Sequence, residues 1–176
     1  PFSMPLFRAA NAAIDKVTPQ RAEVVALLAG YGETDLLCHR AEGPAALAAR
    51  QAQAWDPLLA WAAAQLGAPL TPAVGVMPAA QPPESLARLR AALDGLDGFE
   101  LTAAHDLVTL SGSIVIGLAA LRGHLAAGEL WRASTVDECW QAEIWGEDEE
   151  AARALEARRT AFLSAARFLA LVRARP

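Results

Sequence analysis

The residues able to do chemistry are few and scattered. His39, His105 and His124 are the only histidines, and none has a second histidine or a cysteine three or four positions away. Zinc sites usually show such spacing, as in H-E-x-x-H or paired C-x-x-C, so the sequence predicts no metal and no other cofactor. Cys38 and Cys139 lie far apart, and Cys139 has no histidine near it in sequence to serve as a base. "SGS" at Ser111 to Ser113 lacks the G-x-S-x-G frame of a nucleophile elbow, and the scattered glycines form no phosphate cradle.

One stretch stands apart. "DECWQAEIWGEDEEA", Asp137 to Ala151, holds two tryptophans and seven carboxylates in fifteen residues, with no Lys or Arg. On a continuous helix, Val136, Trp140 and Ile144 share one face, and Trp131, Glu138 and Trp145 share nearly the opposite one. One apolar stripe suffices to dock a helix; the second places a carboxylate between two indoles. Burial of both faces, with Glu138 paired to an arginine, explains this pattern as well as a functional surface does. The carboxylates from Glu147 to Glu150 fall where a helix begins, with Arg167, Arg173 and Arg175 at its other end, so dipole compensation accounts for them. Glu138 and Glu143 lie outside that explanation. Trp55 and Trp61 flank Asp56-Pro57, where packing and capping are an adequate account.

The elements that must position these residues read as helices nearly throughout. Ser3 caps a first helix carrying Leu6, Ala10, Ala13, Ile14 and Val17, and Thr18-Pro19 begins a second. "TDLLCHRA" and "LTPAVGVMP" are strand candidates that could pair across the intervening helices, kept short by Pro72 and Pro78. Asp56-Pro57 reads as a cap with Pro at the first helical position, giving a new or kinked helix. Leu107 to Leu121, "LVTLSGSIVIGLAAL", is an uncharged and strongly apolar run. Fifteen residues suit a central core helix better than a membrane span, with Ser113 and Gly117 as a small-residue stripe for a close neighbour. A last helix from about Asp148 to Arg173 turns Leu155, Phe162, Ala166 and Leu169 inward. The expected fold is mainly α: a multi-helix orthogonal bundle over residues 1–176, with a short two-stranded β element.

At 176 residues, 54% hydrophobic and 20% charged, the chain can bury a core of its own. Its net charge of -5 argues against a nucleic-acid partner and against attraction to anionic membranes. Two distant cysteines suit a reducing compartment.

"DLLCHRA", "QAWDPLLAWA" from Gln53, "FEL" with the downstream "GSIVIGLA" and above all "DECWQAEIWGEDEEA" together resemble the ATP12 family, assembly chaperones for the F1 sector of ATP synthase. The similarity runs through nearly the whole chain in order. It implies a non-enzymatic protein that holds the F1 α subunit before it joins β. Client contacts are expected from Glu138, Trp131, Gln141, Glu143, Trp145, Trp55 and Asp56. The family places a β-rich domain ahead of its helical one, and this chain begins at the first helix. The implied home is the cytoplasm of a bacterium, an α-proteobacterium by composition, with the mitochondrial matrix as the counterpart for eukaryotic relatives. Two other readings of the residues stay open: a helical enzyme using Glu138 as a general acid between Trp131 and Trp145, or a helical interaction domain unrelated to F1.

Overall fold

The computed structural model describes residues 4–174, in which nine α-helices surround one core and a two-stranded parallel sheet sits at its edge. The order is α1 (Pro5–Ala12), α2 (Arg21–Gly30), β1 (His39–Arg40), α3 (Ala45–Trp61), β2 (Ala73–Val74), α4 (Pro83–Asp94), α5 (Gly98–Ser111), α6 (Ile114–Leu121), α7 (Ala127–Ser134), α8 (Val136–Trp145) and α9 (Glu149–Arg173). The mainly-α expectation and the small sheet hold. Ser3 and Arg175, read as helix-terminal groups, lie outside the described residues.

The uncharged run forms two helices, not one. Gly112 takes a left-handed φ of 72°, which stops α5, and Ser113 restarts the chain by accepting the Ile116 N–H on its Oγ at 3.0 Å. Apolar composition alone does not mark such a break; a glycine in the left-handed region followed by a capping serine does. The resulting hairpin is the centre of the molecule, with α5 lying against α1, α2, α6 and α9. Leu101, Leu107 and Val108 of α5, most of α6, and Phe162, Phe168 and Leu169 of α9 are buried together.

Gly117 is where α6 meets α5 most closely. A Cβ there would lie 2.4 Å from Val108 Cγ2. An exposed helical Gly→Ala change gains up to about 1 kcal/mol. Here overpacking wins, and Gly117→Ala is expected to destabilise by about 1–3 kcal/mol, read as a lower urea midpoint. A raised midpoint would show that the two helices separate without cost.

Other local expectations shift in instructive ways. Thr18 does not cap a helix; its hydroxyl donates to Ala13 O at 2.7 Å, closing a π-helical turn over Ala13–Val17, and α2 starts at Arg21. Pro57 neither starts nor breaks a helix, since α3 runs through it. Its missing N–H and its ring are tolerated because packing of Trp55, Leu58 and Leu59 outweighs one lost bond. "TDLLCHRA" is strand only at its end: a 3₁₀ turn, Leu36–Cys38, precedes β1, which pairs with β2 as His39↔Ala73 and Arg40↔Val74.

The reason for that turn is Asp35, which no spacing in the sequence marks. It is fully buried, its Oδ1 accepting Leu37 N–H at 3.0 Å, and its Oδ2 accepting the Ser113 hydroxyl at 2.9 Å and Val115 N–H at 3.1 Å. One carboxylate therefore caps both the 3₁₀ turn and the N-terminus of α6, joining chain segments nearly eighty residues apart. Burial pushes its carboxyl up to about 6, against the downward pull of those hydrogen bonds.

Candidate functional site

The segment that carries the tryptophans breaks at Thr135, whose φ of -124° and ψ of 25° end α7 and begin α8. The single helix assumed from sequence is therefore two, and its predicted faces do not survive. Trp131, on α7, is 4% exposed and tilted against Phe162 at 5.5 Å between centroids. Trp145, at the end of α8, is 85% exposed. Glu138 consequently does not lie between them. It is exposed and pairs with Arg158 at 3.4 Å, while the same guanidinium lies over the Trp131 ring at 5.6 Å and donates to Leu110 O at 2.9 Å. The apolar sandwich required for Glu138 as a general acid is absent.

Trp55 is likewise core. At 1% exposure, it donates its indole N–H to Ala133 O at 2.7 Å and so fixes α3 to α7. Neither Trp55 nor Trp131 offers a surface to a client in this conformation; both bury their rings under the α7–α8 junction. Asp56, beside Trp55, faces outward but is held by Arg40 at 2.7 Å, whose guanidinium also covers the Trp55 ring.

The expected inner stripe of α8 fades along its length. Val136 is buried, Trp140 half-buried and Ile144 exposed, because α8 leaves the body of the bundle beyond its second turn. Two side chains of α3 hold it there. Gln51, buried, donates to Asp137 Oδ1 at 2.7 Å and accepts Ala41 N–H at 2.9 Å, tying α8 to the residue after β1. Arg50 grips Glu143 through both carboxylate oxygens, at 2.7 and 2.9 Å, and covers the Trp140 ring at 5.0 Å. That hydrogen-bonded guanidinium holds the Glu143 carboxyl below its usual range. Trp140 therefore sits under an arginine at the edge of the fold, where its loss leaves no closed core cavity.

What these contacts build is a shallow groove of about 380 Å³, walled by Trp140, Gln141 and Trp145 on one side and by His39, Arg40 and Leu47 on the other. Gln141 and Trp145 are exposed in it, Glu143 and Ile144 are exposed elsewhere on α8, and Glu147 to Glu150 continue the carboxylate run past it. Asp148 is the N-cap of α9, accepting Ala151 N–H at 2.8 Å, while Glu149 and Glu150 lie in its first turn, where the expected dipole compensation applies. Arg50, Gln51 and Arg158 were not foreseen as organisers. Each acts on a residue 20 to 93 positions away, a distance over which sequence spacing says nothing.

Elsewhere, His105 contacts Asp106 at 3.0 Å, and His124 stacks on Trp61 with centroids 4.9 Å apart. Cys38 is buried, its thiol pushed up to about 12 chiefly by burial, whereas Cys139 is exposed. No helix among the described residues is long and apolar enough to cross a membrane.

An exposed indole and isoleucine on a braced helix end, flanked by carboxylates, combine large apolar area with charge, the composition characteristic of protein interfaces. The comparisons agree with that class. Residues 1–63 match the family model for the ATP12 chaperone protein. The crystal structure of Atp12 from Paracoccus denitrificans is 50% identical, with a TM-score of 0.95, over 97% of this chain and 73% of that one. A candidate chaperone from Agrobacterium tumefaciens is 39% identical with a TM-score of 0.88, over 94% of this chain and 62% of the other. The chain belongs to the ATP12 chaperone family.

Proposed function

We propose that this protein is an assembly chaperone of the F1 sector of ATP synthase, which holds the F1 α subunit until it joins β and catalyses no reaction itself. The observation that carries this is family membership together with the exposed Trp145 end of α8. A chaperone of an assembly intermediate covers an apolar surface that the finished complex would bury, and releases it to the next subunit. Indole and isoleucine side chains supply the contact area, and the carboxylates beside them favour a client surface bearing Arg or Lys.

In this reading, client contacts come from Trp145, Gln141, Glu143 and Glu138. The last two are exchangeable partners: their arginines, Arg50 and Arg158, already show how a guanidinium is received there. Asp56 borders the same side of α3, while Trp55 and Trp131 support the surface from beneath. We take residues 1–176 as the helical domain of the family's plan, acting in the cytoplasm of a bacterium.

The test is a refolding assay with purified F1 α subunit diluted from denaturant. Stoichiometric amounts of this protein should suppress aggregation of the α subunit and yield a soluble complex of the two. Suppression no better than that given by serum albumin would contradict the reading.

A further inference from the structure

Between α3 and α4 the chain forms a loop that is braced at its base and apolar at its tip. Gln81 clamps the stem, accepting Thr71 N–H at 2.8 Å and donating to Thr71 O at 2.9 Å, and Ser85 Oγ donates to Pro69 O at 2.6 Å. Beyond the stem, β2 pairs with β1, and Gly75 N–H continues the ladder to Arg40 O at 3.0 Å. In a parallel register of this kind alternate residues bond to the neighbouring strand, so Ala73 and Gly75 face β1. Val74 therefore turns its N–H and C=O to the opposite edge, where no third strand lies among the described residues.

Past that edge Val76 is 95% exposed and Met77 78% exposed, with Val74 exposed beside them. Single surface hydrophobics need no explanation; three within four residues on a clamped loop do. Bracing also means that little conformational freedom remains to be lost when a partner binds.

Charge and continuity indicate what that partner is. A Cβ on Gly75 would lie 2.8 Å from Glu42 Oε1, so this carboxylate rests against the loop; Glu42 is exposed and enters none of the ion pairs among the described residues. The loop also adjoins the α8 groove, because β1 serves both. His39 and Arg40 wall the groove, and the same two residues pair with β2.

We propose that the open edge of β2, with Val76 and Met77, is a second docking surface for the client: it receives an extended apolar segment of the α subunit, with a basic side chain directed to Glu42. This rests on the functional reading above. Strand addition satisfies the free main-chain groups of Val74, alternate client side chains cover Val76 and Met77, and the Arg or Lys makes a charge-assisted bond.

The experiment measures α-subunit affinity for the unaltered protein, a Val76→Asp/Met77→Asp double variant, Glu42→Lys and Trp145→Ala, with melting curves for each. The expected result is an affinity loss of about tenfold or more for the double variant and a smaller loss for Glu42→Lys, with unchanged melting temperatures. Exchange of the Val74 amide hydrogen should slow in the complex. Full affinity in the double variant and Glu42→Lys, beside weakened binding by Trp145→Ala, overturns the second surface and leaves the functional reading standing. Failure of the unaltered protein to bind overturns both. A dimer of this chain that the double variant dissolves, with α-subunit affinity unchanged, assigns the loop to self-association and overturns the proposal.

Discussion

Trp55→Ala is expected to lower the unfolding free energy by about 3–5 kcal/mol, a large part of what a domain of this size has. Trp55 is 1% exposed, and its removal opens a void between α3 and α7 that the surrounding helices fill only in part. It also leaves Ala133 O without its indole donor and strips Arg40 of the ring beneath it. Urea unfolding followed by circular dichroism reads the effect as a lower midpoint. A loss below about 1 kcal/mol would mean that the site collapses and that the ring is not structural.

The second large effect concerns Asp35 and pH. In the folded protein its carboxyl is raised from 3.8 to about 6, chiefly by burial. Between those values the folded state binds the proton more tightly than the unfolded chain does. Its contribution to stability therefore rises as pH falls from about 6 towards 3.8 and is level below that. At neutral pH the buried charge costs the fold roughly 3 kcal/mol relative to the protonated form. Asp35→Asn removes this titration while leaving every other carboxylate in place. It also presents an amide NH₂ where Val115 N–H needs an acceptor, a loss that offsets the relief of the buried charge at pH 7, so the test is the change of the difference with pH and not its value at one pH. On going from pH 7 to pH 4, the unaltered protein should gain roughly 2 kcal/mol over the variant. Paired urea melts at the two pH values check this; a constant difference would show that Asp35 does not titrate in that range.

Much of the architecture was legible because its causes are local. α9 announces itself through an acidic first turn and an inward apolar stripe, and Phe162 and Leu169 are buried as that stripe requires. The β1–β2 pairing followed from two short apolar segments bounded by turns and prolines. The resemblance carried by Asp137 to Ala151 pointed to the family before any coordinate did. What could not be read depends on partners distant in sequence or on a single backbone angle. "SGS" looked like a failed nucleophile motif, yet its glycine and second serine stop α5 and start α6. Thr135 breaks the tryptophan segment without any Gly or Pro to signal it. That break separates Trp131 from Trp145, and burial against Phe162 decides the fate of Trp131. Glu138 illustrates the same limit. Its type and position were visible, but Arg158, twenty residues on, decides what it touches.

The central claim is that the exposed end of α8 holds the client. The most direct measurement is isothermal titration of purified F1 α subunit against the unaltered protein and Trp145→Ala, with a thermal melt of each. Trp145 is 85% exposed, so its removal should leave stability within ~0.5 kcal/mol. As an aromatic anchor at the interface, its loss should weaken binding by about tenfold or more. Equal affinity of the two proteins for the α subunit, at equal melting temperature, would contradict the account.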